Sequence, residues 1–203
     1  FSLGTGYWYG TGLLWDGGGD DEYRSVYFTQ GSGAHFAVGA LIDEGGNDVH
    51  ELSNNAGAAF GFGWDVVNAF LLDRGAGNDH YVAKMISYGM AEVRSTAFFI
   101  DEGGDDVYEY AAGKKGLGAA DRRNRYLAPE RTSTYFFHLA QVGVFLDLGG
   151  KDTYPGEGKA GDGRTWNLSR REEGERHGPN VSIGRDVPRG RLGFLDAWPR
   201  RKR

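Results

Sequence analysis

The amino-acid sequence predicts an all-β protein: a parallel β-solenoid (β-helix) of about five coils of 27–30 residues, with an insertion loop and a C-terminal tail. Three observations predict it. An apolar-apolar-D-x-G-G-x-D-x-Y segment recurs five times, and glycines fall at constant offsets upstream of it. The stretches between copies, such as Gln30–Gly39 and Ala56–Trp64, are too Gly-rich for the helices of a βαβ array. Glycine makes up 35 of 203 residues, more than twice the ~7% of average usage. Its lack of period-three spacing excludes collagen, and 39% hydrophobic and 14% aromatic residues argue against a disordered linker.

The five copies lie at 13–23, 41–50, 71–81, 99–108 and 145–154, the third with one inserted residue. Their leading aspartates are Asp16, Asp43, Asp73, Asp101 and Asp147, spaced by 27, 30, 28 and 46 residues. Gly4, Gly31, Gly61 and Gly89 stand twelve residues before their aspartates, and small residues stand four before, at Gly12, Gly39, Ala69, Ala97 and Gly143. In the fifth unit Tyr135 and Phe137 fall where the upstream Gly pair is expected. Each D-x-G-G-x-D is a turn by composition, since Asp bonds its own backbone two residues on and Gly accepts positive φ. The apolar residues before it read as a strand buried on both faces. The small residues let a neighbouring backbone approach, and Tyr23, Tyr108 and Tyr154 are expected to stack coil on coil.

On this reading residues 1–154 form the repeat domain, interrupted by a basic insertion at about 111–131, and 155–203 form a basic Gly/Arg-rich tail. Leu192–Trp198 echoes one repeat strand. Charge is uneven along the chain: −13 over 1–110, +3 over 111–154 and +5 over 155–203, summing to the net −5. The acidic first half argues against nucleic acid as a partner. No apolar run approaches the 18 residues of a membrane span. A start at Phe1 rather than Met is what removal of an upstream segment such as a signal peptide leaves.

Zero cysteines exclude disulfides, thiolate zinc sites and thiol nucleophiles. His35, His50, His80, His138 and His177 show no zinc-enzyme spacing, and no nucleophile elbow or P-loop occurs. His50 takes the Tyr slot of its repeat and His80 adjoins it, which favours stacking over ligation. Acid/base catalysis needs two carboxyls in distinct environments, and repetition works against that. The irregular features are Asp65 beside Trp64, Glu92, Arg94, His138 and the cluster Lys114, Lys115, Arg122, Arg123 and Arg125, the last read as a solvated loop. No catalytic residue is assigned.

Stacking coils about 4.8 Å apart sets Asp16, Asp43, Asp73, Asp101 and Asp147 in one ladder and Asp21, Asp48, Asp79, Asp106 and Asp152 in another. Unit charges at that spacing repel by about 3.5 kcal/mol at an effective dielectric of 20. Either backbone N–H donors satisfy each carboxylate, or carboxyls keep protons, or cations sit between coils. Calcium suits carboxylate and carbonyl oxygens. The pattern is similar to the G-G-x-G-x-D-x-U-x repeats of calcium-binding parallel β-rolls, though its period is about three times longer. Residues 1–154 also resemble uncharacterised bacterial repeat proteins that alternate Q-G-x-G with L-x-D-x-G-G-x-D-x-Y, here Gln30, Gly31 and Gly33 with Leu41–His50. That resemblance implies a repetitive β fold and export.

The function expected is a non-enzymatic exported or surface module, structural or adhesive, with calcium at the D-x-G-G-x-D turns. Self-association into filaments and contact with polysaccharide or a cell surface are its expected interactions. The rival expectation is a carbohydrate-active enzyme or carbohydrate-binding domain using Tyr7, Trp8 and Tyr9 beside carboxylates.

Overall fold

A computed structural model describes residues 1–84, 86–110, 116–121, 139–155, 158–169 and 180–188. All their regular structure is strand, and they stack as a parallel β-solenoid. No helix is long and apolar enough to cross a membrane. Each of the first four coils gives one strand to each of three sheets. The first coil holds β1 (Gly6–Tyr7), β2 (Thr11–Trp15) and β3 (Glu22–Ser25), and the second β4 (Gly33–Ala34), β5 (Val38–Asp43) and β6 (Val49–Leu52). The third holds β7 (Gly63–Trp64), β8 (Asn68–Asp73) and β9 (His80–Ala83), and the fourth β10 (Ala91–Glu92), β11 (Thr96–Asp101) and β12 (Val107–Tyr110). In the fifth, β13 (Ala120–Asp121) and β14 (Gln141–Asp147) are followed by a single bridge from Thr153 to Val107.

The constant offsets of the sequence are the register of these sheets. Asp43, Asp73, Asp101 and Asp147 pair in line, as do Gly6, Gly33, Gly63, Ala91 and Ala120. Close approach explains the turn glycines. A Cβ at Gly77 would overlap the Gly46 carbonyl one coil away, and one at Gly46 would overlap that of Gly19. Coil corners also use left-handed backbone at bulky residues, in the consecutive pairs Trp8–Tyr9, His35–Phe36, Asp65–Val66 and Val93–Arg94. Nothing in the composition of those pairs announces it, since the left-handed region disfavours side chains with a Cβ.

Three expectations change. The Leu14, Leu41, Leu71, Phe99 and Phe145 side of the central sheet packs into the core, but Ile42, Leu72, Ile100 and Leu146 on the other side are only half-buried. The strand is therefore buried on one face, not both. The fifth Gly corner is Leu117–Gly118, with Gly118 donating to the Tyr88 carbonyl, rather than the Tyr135 and Phe137 positions. Twenty-one residues separate Asp121 from Val142, where four separate their partners Glu92 and Thr96, so the surplus of 17 falls between that corner and β14. Lys114, Lys115, Arg122, Arg123, Arg125, Tyr135, Phe137, His138 and His177 lie outside the described residues, as does the Leu192–Trp198 echo.

Part of the segment read as a tail extends the array. Strand β16 (Asn180–Asp186) adds a sixth parallel rung, with Asp186 in register with Asp147. Two-residue β15 (Thr165–Trp166) then pairs antiparallel on its free edge, and Trp166 donates from Nε1 to the Leu117 carbonyl. Inside the solenoid the predicted aromatic column forms: Tyr23, His50, Tyr81, Tyr108 and Tyr154 stack with ring centroids 4.6–5.3 Å apart.

Candidate metal centre

The two aspartate columns meet different fates. Leading aspartates are satisfied by the protein itself. One oxygen accepts the amide two residues on, as Asp43 Oδ1 does from Gly45, Asp101 from Gly103 and Asp147 from Gly149. The other accepts a phenol from the stacked column. Tyr23 donates to Asp43, Tyr81 to both Asp73 and Asp101, Tyr108 to Asp101 and Asp147, and Tyr154 to Asp186. These aspartates terminate their turns, which is the capping alternative of the sequence reading.

The second column is satisfied only by half. Oδ1 of Asp48, Asp79, Asp106 and Asp152 each accepts the amide of the equivalent residue one coil back, at 2.6–2.8 Å. Oδ2 of Asp48, Asp106 and Asp152 is buried and has no hydrogen-bond partner. Oriented acceptors left in this state are costly, about 1–3 kcal/mol each and more when charged. The adjacent Asn/Asp position runs the opposite way, with Asn47 Oδ1 accepting from Asn78 N and Asn78 Oδ1 from Asp105 N.

Asp48, Asp106 and Asp152 each belong to a cluster. Potential ligand atoms of Asp48, Asp73 and Asp79 lie within 4.8 Å of one another, as do those of Asp79, Asp101 and Asp106, and of Asp106, Asp147 and Asp152. A fourth such group joins Asp152, Asp162 and Asp186, and a fifth joins Asp43, Asp48 and His50. Oxygens this close are near enough to share one calcium ion, for which Ca–O is about 2.3–2.6 Å. Asp16 and Asp21, predicted as ligands, enter no such group among the described residues. Asp162 and Asp186 were missed in the sequence. The strand-then-Asp pattern of Asn180–Asp186 was their only signal, and it lacks the Gly-Gly that marks the other turns.

Crowding raises the proton affinity of these carboxyls. Burial, then the charge of neighbouring aspartates, pushes Asp48 up to about 6, Asp79 to about 8 and Asp106 to about 9. The same causes in the same order push Asp101 to about 7, and Asp147 to about 10, while Asp152 reaches about 7, raised by burial and by the Asp186 charge. Three carboxylates within 4.8 Å make three repulsive pairs, on the order of 10 kcal/mol at an effective dielectric of 20. That rivals a domain's whole stability of ~5–15 kcal/mol. Protons or cations must therefore occupy the clusters.

Most of the irregular residues share one corner of successive coils: the amide of Tyr9 donates to the His35 carbonyl, that of His35 to the Trp64 carbonyl and that of Asp65 to the Glu92 carbonyl. His35 Nδ1 lies 2.8 Å from Asp65 Oδ2, with the His35 ring stacked on Trp8 at 4.5 Å. Tyr7, Trp8 and Tyr9 are exposed on the first coil. His80 faces outward against Glu109, while Glu92 and Arg94 are buried. No protein-family model, curated protein or solved structure matches this chain.

Proposed function

We propose that the chain is a non-enzymatic structural or adhesive module whose coils are bound together by calcium in the aspartate clusters. The observation that carries this reading is the set of buried, unpartnered Oδ2 atoms of Asp48, Asp106 and Asp152, residues that belong to groups of three ligands. Oxygen-only donors suit a hard cation, and a chain of clusters running down the axis would tie successive coils together. Such sites fill in a compartment rich in calcium, so we place the module outside the cell or on its surface. Ligand present at 100 times its dissociation constant adds about 2.7 kcal/mol per site.

Self-association belongs to the same proposal. Among the described residues, strands β1, β2 and β3 have a paired neighbour on one side only, and Phe1, Trp8, Leu13, Trp15 and Val26 on that coil are at least half exposed. Open edges with apolar side chains invite pairing. A carbohydrate-binding reading draws on the exposed Tyr7, Trp8 and Tyr9 instead.

A melting scan in calcium and in EDTA, with calorimetric titration, tests the central claim. A higher melting temperature in calcium and measurable binding heat are expected; equal temperatures and no heat would remove calcium from the account. Electron microscopy under both conditions reads assembly, and monodisperse single particles in both would count against it.

A further inference from the structure

The second coil departs from the repeat at two positions that face each other. His50 stands where Tyr23, Tyr81, Tyr108 and Tyr154 stand in other coils. Gln30 stands before its corner glycine, where Phe60, Tyr88 and Leu117 stand in theirs. Both are fully buried. The Gln30 amide nitrogen donates to the Tyr23 carbonyl and Ser25 Oγ, which turns its Oε1 toward the imidazole. His50 Nδ1 lies 2.9 Å from that oxygen. An amide oxygen only accepts, so Nδ1 carries a hydrogen, and in the neutral imidazole Nε2 presents its lone pair.

That lone pair points into carboxylates. Nε2 is buried without a hydrogen-bond partner, and a ring nitrogen of His50 lies within 4.8 Å of a carboxylate oxygen of Asp43 and of Asp48. Asp48 Oδ2 is also unpartnered. Asp73 Oδ2 lies 3.3 Å from Nε2 without hydrogen-bond alignment. A tetrahedron with metal–ligand bonds of ~2.0–2.1 Å has a ligand–ligand edge of about 3.3 Å. The imidazole is stacked between the rings of Tyr23 and Tyr81, at 4.6 and 4.8 Å, which fixes its plane. A carbonyl accepting from the far nitrogen is the usual outer support of a metal-bound histidine.

We propose that Asp43, Asp48 and His50 form a mixed nitrogen/oxygen site for a first-row divalent transition ion, with Asp73 in contact with the imidazole but grouped with Asp48 and Asp79. It differs in kind from the oxygen-only clusters beyond it, because imidazole suits zinc, nickel or copper whereas carboxylates alone suit calcium. The inference does not depend on calcium occupying those other clusters.

The restoring substitution His50→Tyr gives the test, because tyrosine is the residue the repeat uses in this slot. EDTA-stripped wild-type and His50→Tyr full chains are titrated with zinc by calorimetry and with cobalt(II) by visible absorption. Wild type should take up one ion with the intense absorption of tetrahedral cobalt, and His50→Tyr should lose that band. Gln30→Leu should weaken zinc binding ~10–100-fold, the usual cost of losing an outer support. Indistinguishable isotherms for wild type and His50→Tyr, or a pale octahedral cobalt spectrum in wild type, would overturn the proposal in favour of an imidazolium paired with Asp73. Should His50→Tyr not fold, Gln30→Leu decides alone. Calcium titration of the same samples reads the oxygen-only clusters separately, so either claim can fail without the other.

Discussion

Raising the pH of the metal-free protein should unfold it, in a range where most proteins gain or hold stability. The clustered carboxyls have folded-state pKa values above the ~3.9 of an unfolded aspartate, with Asp101 and Asp152 near 7 and Asp79 near 8. The folded chain therefore binds more protons than the unfolded one, and stability falls with rising pH. The contribution is complete below about pH 4 and is lost as pH rises through the folded values. Facing carboxyls share protons, so one retained proton is counted for each of the three central all-aspartate clusters. At about 1.4 kcal/mol per proton per pH unit, the slope is roughly 4 kcal/mol per unit between about pH 5 and 7. Two units then remove about 8 kcal/mol, within the ~5–15 kcal/mol a domain has. Urea midpoints at pH 5, 6 and 7 in EDTA measure this, and repetition in calcium should flatten or reverse the trend because cations displace the protons. A midpoint in EDTA that stays level or climbs from pH 5 to 7 would refute the reasoning.

Other expectations follow from single side chains. Asp106→Asn keeps an oxygen for the Asp79 amide and puts a permanently neutral group in two adjoining clusters, where Asp106, pushed up to about 9, must take up a proton on folding. It should stabilise the metal-free protein at pH 7.5 by about 1–3 kcal/mol and roughly halve the melting-temperature gain from calcium. Tyr81→Phe removes the hydroxyl that serves both Asp73 and Asp101, and urea denaturation should show a loss of about 1–3 kcal/mol. Gly77→Ala drives a Cβ into the Gly46 carbonyl and should cost ~3 kcal/mol or more by the same measurement, whereas alanine at Gly17, with open space around it, should cost less than about 1 kcal/mol.

Much of the architecture is written in spacing, because a solenoid converts sequence offset directly into register. Gly33 to Gly63 and Asp43 to Asp73 are each 30 residues apart and each pair across one ladder step. The roles of the two aspartates were not legible. Asp43 and Asp48 look alike in composition, and only the position of the Tyr23 hydroxyl, set by stacking, satisfies one and leaves the other half-bare. The sixth rung escaped notice because Gly184 and Arg185 stand where Phe145 and Leu146 stand, and no Gly-Gly follows Asp186. Ala120 substitutes for glycine at the corner, so the interval alone could not show where the surplus enters. Corners such as Asp65–Val66 were invisible, since tertiary stacking imposes a backbone that local preference opposes.

Asp79, Asp106 and Asp152 each belong to two successive clusters, so the clusters are links of a chain and not independent cups. Two divalent ions one coil apart repel by about 14 kcal/mol at an effective dielectric of 20 before the shared carboxylate offsets any of it. If calcium is the occupant proposed above, loading is anticorrelated between nearest neighbours: the first ions would take alternate rungs, and the intervening rungs would fill only at much higher concentration. The binding isotherm should show a plateau at half-filling, and a lesion at one bridging aspartate should shift which rungs, odd or even, fill first along the rest of the axis.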